Sequence, residues 1–314
     1  MSNKYQCQIR NLRIFIIGSL VFIGIYWYLF VFIDKTLAQS TISLSVSPPI
    51  FELMIQPGKE VKQIFTINNL GRDTTITPKI VYFEPADDLG NISLTKDLSP
   101  DWVIYDKEQF KLKGQEKFDF EVRFLPPSDT PEIDHFLTVV FETSEPVDIL
   151  NQNSSNFKSQ IGANILLTVS QDGNPKKSAE ITEFTAPKII DSLFGKIIYT
   201  IKLKNDGNSY WKPNGKIIIA DEIINIAPQN TLSGYTRNIS CLSDQTLVEC
   251  KPKNRFYLGK ITAKLEFSID ENPKIYQKEA ISYSFPFSIL SLLLLLLTTL
   301  KRNLILKRWG RKKH

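Results

Sequence analysis

Between residues 41 and 284 the sequence is dense in short runs of β-branched and aromatic residues, with turn residues recurring about every ten positions. The runs 42–46 and 118–124 alternate apolar and polar residues, and in the second run three phenylalanines and Val122 share one face. This alternation has the period of two that is typical of a strand with one buried face. The region is therefore predicted to be an all-β ectodomain built from sandwiches or barrels.

Two sets of strands are predicted, at 41–171 and at 178–284, separated by a linker at 172–177 that contains Gly, Asn and Pro. Seven or eight short strands in the first set fit one immunoglobulin-like β-sandwich, and the second set fits another. The clearest predicted strands are at 61–67, 76–83, 118–124, 136–141, 161–169, 195–203, 216–220, 260–269 and 275–283.

The two sets share a similar spacing of turn residues. An Asn-x-Gly turn at Asn69 follows Gly58 by eleven residues, and a second one at Asn205 follows Gly195 by ten. Such turns are common between strands, so the match is weak evidence of duplication. It nevertheless favours two tandem sandwiches over one large barrel.

The N-terminal segment predicts export. Residues 14–33 carry no charge and follow three basic residues, which is typical of a secretory signal. Small residues precede a cleavage site predicted between Ala38 and Gln39, so that 1–38 is a signal peptide. The apolar run is long for a signal core, and an uncleaved signal anchor is the alternative. Both alternatives place 39–284 outside the cytoplasm.

The C-terminal segment predicts an anchor. Residues 285–300 are uncharged, and seven basic residues follow them. Because such a cluster stays in the cytoplasm, we predict a transmembrane helix at 285–306 and a basic cytoplasmic tail at 307–314. The predicted location is the cell membrane, with one pass after signal cleavage and two without it.

The sequence contains few residues in patterns typical of catalysis or of cofactor or metal binding. Residues 39–284 have a net charge of −5, which argues against nucleic-acid binding. No glycine-rich phosphate loop occurs, and we predict no cofactor, no metal site and no catalytic residue. The acidic run 87–91 is predicted to be a turn rather than a calcium site. Asp134 and His135 lack a presented nucleophile, so His135 is predicted to be a surface histidine.

The cysteines and four aromatic residues are the other candidates. Cys241 and Cys250 are predicted to form a disulfide bond, since exported thiols are usually oxidised; two reduced buried cysteines are the alternative. Four aromatic residues could form a sugar- or peptide-binding patch, although such residues more often fill sandwich cores: Trp102, Tyr210, Trp211 and Tyr235.

Parts of the first set resemble the bacterial WxL-interacting, peptidoglycan-binding surface proteins. The resemblance covers 41–170 and rests on strands and turns at 47–53, 57–58, 66–69, 118–127, 136–141 and 161–167. It implies an immunoglobulin-like ectodomain that binds an envelope polymer such as peptidoglycan, or another surface protein. It implies no particular binding residue.

These observations predict a membrane-anchored, extracytoplasmic, non-enzymatic protein for binding, adhesion or envelope interaction. The alternative is a pilus-type periplasmic chaperone-like protein, which also uses two such domains and donates a strand edge to its client.

Overall fold

The computed structural model describes residues 43–144, 159–254, 256–270 and 274–310, with side chains described as far as residue 302 in the last range. The predicted signal peptide and its cleavage site between Ala38 and Gln39 lie outside these residues. So do the last four residues of the predicted basic tail.

The first sandwich is built from the strands before residue 170. They are β1 (Leu44–Ser47), β2 (Ile50–Ile55), β3 (Val61–Asn69), β4 (Thr74–Pro85), β5 (Ile92–Leu98), β6 (Val103–Tyr105), β7 (Phe110–Leu112), β8 (Lys117–Phe124), β9 (Asp134–Ser144) and β10 (Gln160–Val169). One sheet has the order β1-β3-β8-β6 and the other β2-β10-β9-β4-β5, with β7 also paired to β4.

The first two described strands belong to different sheets. β1 pairs with β3 in an antiparallel ladder, and β2 pairs with β10 in a parallel one. Pro48 and Pro49 separate β1 from β2; proline has no backbone N–H, so it interrupts a ladder and marks the change of sheet.

Alternating side chains of both sheets fill the first core. In β8 the even-numbered residues Phe120, Val122 and Phe124 are buried, while their odd-numbered neighbours face outward. Phe120 meets Phe141 of the opposite sheet edge to face, with ring centroids 5.2 Å apart. The period-two pattern of the sequence therefore places one face of each strand between the sheets.

The second sandwich has the strands β11 (Ala179–Thr185), β12 (Ile189–Asp191), β13 (Thr200–Asn205), β14 (Pro213–Ile219), β15 (Glu222–Asn225), β16 (Thr236–Asn238), β17 (Cys241–Ser243), β18 (Thr246–Val248), β19 (Gly259–Ile269) and β20 (Tyr276–Phe285). Its sheets have the orders β11-β13-β16 and β12-β20-β19-β14-β15, and β17 and β18 form a separate hairpin. β12 is parallel to β20 as β2 is to β10, so the larger sheets of the two sandwiches have the same topology.

Trp211 is the largest buried side chain of the second core, where its ring stacks near Phe267 with centroids 6.4 Å apart. Its indole Nε1 donates a hydrogen bond to the Ser178 oxygen, which satisfies the polar atom of an otherwise apolar side chain.

The helix α1 (Phe287–Gly310) follows β20 directly. Asp191 caps its first turn, because one carboxylate oxygen accepts hydrogen bonds from the backbone N–H and the hydroxyl of Ser288. Together with backbone N–H donors at Leu193 and Phe194, these bonds lower the pKa of Asp191 to about 2.

Within the described residues, no helix is long and apolar enough to cross a membrane. The predicted transmembrane helix at 285–306 is therefore wrong, as is the predicted single-pass location in the cell membrane. The physical reason is that Lys301 and Arg302 end the uncharged part of the helix, 287–300, after fourteen residues, about 21 Å of helix against the roughly 30 Å of a bilayer core.

Candidate functional site

The first candidate feature is an open edge at the start of β10. β9 pairs with β10 from Gln160 to Thr168, but on the other side β2 pairs with it only from Asn164 onward. Among the described residues, no strand is hydrogen-bonded to 160–163 on that side. A half-open edge strand of this kind can accept a further strand from another chain.

The backbone groups that face this edge follow from the alternation of a strand. The Asn164 N–H donates to the Pro49 oxygen at 2.9 Å, so the backbone of Asn164 points toward β2. Residues two and four positions earlier have the same orientation. The N–H and C=O groups of Gln160 and Gly162 therefore point to the open side, where they form the start of a pairing ladder.

The corresponding edge in the second sandwich is charged. β12 pairs with β20 only at Tyr283–Phe285, and in the described chain no strand is hydrogen-bonded to the earlier part of β20 on that side. Glu279 lies on this edge with its side chain exposed. The ammonium group of the neighbouring Lys278 donates a hydrogen bond to the backbone oxygen of Ile181. Charged side chains at an edge discourage pairing with other chains, whereas 159–169 in β10 contains no charged residue.

The second candidate feature is the contact between the two sandwiches. The outer face of the β2-β10-β9-β4-β5 sheet packs against the 229–237 segment of the second sandwich. Phe83, Phe136 and Leu166 of the sheet form an apolar cluster with Leu232, and Tyr210 and Tyr235 cover it. The second sandwich therefore buries the part of this face around Phe136 and Leu166.

Polar contacts surround this cluster. Glu52 of β2 accepts hydrogen bonds from Lys212 and from the Asn230 amide, both at 2.8 Å. Burial raises the pKa of Glu52, while these two donors and the Lys212 charge lower it, and the net direction is downward. On the opposite side Lys202 forms an ion pair with Asp88 at 2.8 Å. The contacts on two sides fix the sandwiches relative to each other.

Asp134 joins the two sandwiches at the centre of this contact. Its carboxylate accepts a hydrogen bond from the Thr168 hydroxyl at 2.6 Å and one from the Tyr210 backbone N–H at 2.5 Å. The hydroxyl groups of Ser209 and Ser233 also favour the ionised form and so lower its pKa. Burial raises the pKa of Asp134 to about 6 and outweighs these bonds, since no cation contributes to the shift.

His135 does not act together with Asp134. The two residues are consecutive in β9, so their side chains lie on opposite faces of the sheet. The His135 ring contacts the Tyr82 hydroxyl through Nδ1 at 3.1 Å and meets Trp102 edge to face. Its burial lowers its pKa, so His135 is a half-buried aromatic contact and not the surface histidine that the sequence predicted.

The remaining sequence candidates have structural roles. A disulfide bond joins Cys241 to Cys250, with Cα atoms 4.9 Å apart and both residues buried. The Asp87 carboxylate accepts backbone N–H bonds from residues 89–91 within its turn. Within the described residues, no group of three acidic, histidine or cysteine side chains forms a metal site.

The four aromatic residues do not form one patch. Trp211 lies in the second core and Trp102 packs against the first core, while Tyr210 and Tyr235 cover the inter-sandwich cluster. Sequence analysis missed the open edge of β10, although its uncharged sequence differs visibly from the charged β20.

A cavity of about 280 Å³ lies where the two features meet. Ile50 and Asn164, the first paired residues of β2 and β10, line it from the first sandwich. Asn230, Leu232 and Arg237 line it from the second. Sequence analysis gave no sign of this cavity, because its walls come from distant parts of the chain.

Comparisons with solved structures find several distant similarities. No family model and no curated protein matches the chain. A class 5 fimbriae chaperone, CfaA, is 12% identical with a TM-score of 0.39 and covers 76% of this chain and 99% of its own. The E. coli chaperone DraB is 10% identical with a TM-score of 0.39, covering 76% and 98%. A Salmonella enterica SafA pilin–SafB chaperone complex is 10% identical with a TM-score of 0.38, covering 77% and 98%.

Two predictions differ from what these comparisons found. The resemblance to WxL-interacting, peptidoglycan-binding proteins is wrong, since no family model matches and the similar structures are chaperones. The features behind it were strands and turns that many sandwiches share. The other prediction, a membrane-anchored adhesin, has no counterpart among the structures named above, which are of fimbrial or pilus chaperones.

Proposed function

We propose that this chain is a non-enzymatic chaperone that binds an incomplete β-sandwich protein by pairing with one of its strands along the open edge of β10. The observation that carries the proposal is the register of β2, which leaves the backbone groups of Gln160 and Gly162 facing outward beside an otherwise complete sheet. Strand addition to such an edge takes its affinity from main-chain hydrogen bonds and its selectivity from alternate side chains.

Three further features support the proposal. The open edge carries no charge, so it lacks the usual protection against pairing. The contacts of Glu52 and Asp134 with the second sandwich hold the sheet rigidly behind this edge. The similar solved structures include a pilin bound to its chaperone and a chaperone with a tip adhesin subunit. The partner is accordingly proposed to be another protein.

The decisive test is a proline at position 160. Gln160→Pro removes an N–H that faces the open edge and places the proline ring there, while the ladder with β9 is kept. Gly162 is less suitable, because a Cβ there lies 2.8 Å from the Thr138 methyl carbon. Gln160→Thr, which keeps the N–H and favours a strand, is the matched control.

The probe is an immunoglobulin-like sandwich whose last strand has been deleted, refolded in the presence of the full chain. The expected result is a one-to-one complex with the wild-type chain and with Gln160→Thr, and none with Gln160→Pro. Equal complex formation by the proline variant would place the binding surface elsewhere and refute the proposal.

A further inference from the structure

The helix α1 exposes an apolar surface on all of its sides. Residues 292–297 are consecutive leucines and span more than one turn of the helix. The large apolar side chains from Ile289 to Leu300 are between 42% and 67% exposed. A helix that is apolar all round is normally buried in a larger core. This helix therefore requires a surface that covers it.

A second apolar surface lies at the base of α1, on the outer face of the second sandwich. Ile281, Tyr283 and Phe285 of β20 share this face, and Ile189 of β12 lies beside Tyr283. These four residues, called the β20 patch, are all exposed. The ring centroid of Phe285 is 5.9 Å from that of Phe287, the first residue of α1. The β20 patch and the helix therefore form one continuous apolar surface.

The helix α1 does not cover the β20 patch of its own chain. Only Pro286 separates β20 from α1, whereas a helix that folds back on its own sheet usually needs about two to six connecting residues. Every side chain from 289 to 302 is accordingly exposed. The helix of a second copy has no such restriction, so it can lie on this patch.

The dimensions of α1 and of β20 agree. The uncharged part of α1, 287–300, is about 21 Å long, and the distance along β20 from Phe285 to Glu279 is about 20 Å. A helix that begins at Phe285 of a second copy and runs antiparallel to β20 ends with Lys301 and Arg302 near Glu279. The Glu279 side chain is exposed on the same face as the β20 patch, so opposite charges meet at the end of the apolar contact.

The apolar area is sufficient for a stable dimer. The helix and the β20 patch together present about a dozen large apolar side chains per copy, each exposing on the order of 100 Å². If half of this surface is buried in each of two copies, the interface covers roughly 1,200 Å², which lies within the range of stable protein interfaces.

We infer that two copies of the chain associate by a reciprocal exchange of α1, in which the helix of each copy lies on the β20 patch of the other. Exchange of identical elements about a two-fold axis covers both apolar surfaces at once and closes the assembly. The contact uses the outer face of β20 and α1, and it does not involve the hydrogen-bonding edges of β20 and β10. It therefore goes beyond the proposed function and is independent of it.

The decisive test is a cross-link between two forms of the full chain, both carrying Cys7→Ser and co-expressed. One form carries Ile281→Cys, and the other carries Leu296→Cys and an affinity tag. Ile281 lies about 13 Å from Phe285 along β20, which corresponds to about nine residues of helix, so Leu296 of the second copy is expected above it. A short bismaleimide should join the two forms into a heterodimer.

The matched control replaces Ile281→Cys by Ile64→Cys. Ile64 is also an exposed isoleucine on a strand, but it lies in β3 of the first sandwich. Co-expressed with the Leu296→Cys form, it is expected to give less than about a tenth of the heterodimer, because random collisions do not depend on the β20 patch.

Sedimentation equilibrium of two further variants measures the strength of the contact. Ile281→Lys places a cation in the β20 patch and is expected to raise the dissociation constant of the dimer at least about tenfold, by loss of one buried aliphatic contact. Ile64→Lys introduces the same charge at an equally exposed isoleucine and should leave the dissociation constant unchanged. Both positions are on the surface, so both variants are expected to fold.

The outcomes are distinct. A heterodimer with Ile281→Cys but not with Ile64→Cys supports the inference, as does selective weakening by Ile281→Lys. Equal cross-linking of both overturns it, because association then does not depend on the β20 patch. A monomeric wild type also overturns it, and sedimentation of that monomer with anionic phospholipid vesicles would assign α1 to a lipid surface instead. None of these results alters the test of strand pairing by Gln160→Pro.

Discussion

Asn69 at the end of β3 and Asn205 at the end of β13 make equivalent hydrogen bonds in the two sandwiches. In each, the side-chain oxygen accepts from the N–H of the glycine two residues later, at 2.9 Å for Gly71 and 2.8 Å for Gly207. In each, the amide nitrogen also donates to backbone oxygens of neighbouring turns. The two Asn-x-Gly motifs of the sequence therefore form the same hydrogen-bonded turn in both sandwiches.

Replacing either asparagine by alanine is expected to destabilise the protein strongly. Both are fully buried, and each substitution leaves several backbone groups unpaired, so Asn69→Ala and Asn205→Ala should each lower the free energy of unfolding by about 2–4 kcal/mol. Urea denaturation followed by tryptophan fluorescence measures this. Asn208→Ala, at an exposed position, is the control and should change it by less than about 0.5 kcal/mol. Equal effects of all three would contradict the structural role.

Sequence analysis located strands best where their pattern is local. The predicted strand 118–124 falls within β8, and 161–169 within β10. The predicted strand 195–203 was too early, since β13 begins at Thr200. Gly195 instead follows a turn in which the Asp191 carboxylate accepts from the N–H of Leu193 and Phe194, a contact that hydrophobic periodicity does not report.

The candidate site was not predictable in the same way. It depends on the parallel pairing of β2 with β10, which joins residues far apart in sequence, and on the register at which that pairing begins. Arg237 resembles an ordinary surface cation in the sequence, but in the structure the Gly90 turn of the other sandwich lies against its guanidinium. Local sequence patterns predict which segments are strands, but they do not predict contacts between distant segments.

Opening the bond between Cys241 and Cys250 should destabilise the second sandwich. The bond closes a short loop, so its loss is expected to lower the free energy of unfolding by about 2–3 kcal/mol in the chain-entropy view. The double variant Cys241→Ser, Cys250→Ser should show the same loss without reductant.

Thiol titration of the full chain in denaturant should detect one group before reduction, from Cys7, and three afterwards. Three thiols before reduction would show that the bond does not form.

Stability should depend on pH through Asp134. Its folded pKa of about 6 lies above the usual value of 3.8, so the fold favours the neutral acid. The stability that this group contributes is fully present below about pH 4 and is lost as pH rises through 6, a change of about 3 kcal/mol. Asp134→Asn should remove this component.

The measurement is the difference in free energy of unfolding between wild type and Asp134→Asn at pH 4, 5, 6 and 7. Taking the difference cancels other titrating groups, including His135, whose lowered pKa gives a slope of opposite sign. A constant difference across this range would mean that Asp134 is ionised throughout.

The charge on the β20 edge should prevent the second sandwich from pairing with other copies of the chain. Glu279 has its side chain exposed beside an edge that β12 does not cover, so Glu279→Val is expected to promote dimers or larger species through edge pairing. Glu266→Val is the matched control, because β19 is paired on both sides, with β14 and with β20. Sedimentation velocity at several concentrations distinguishes the two variants. If Glu266→Val associates as strongly as Glu279→Val, then added hydrophobicity rather than the open backbone drives association, and the contrast between the charged β20 edge and the uncharged β10 edge would lose its meaning.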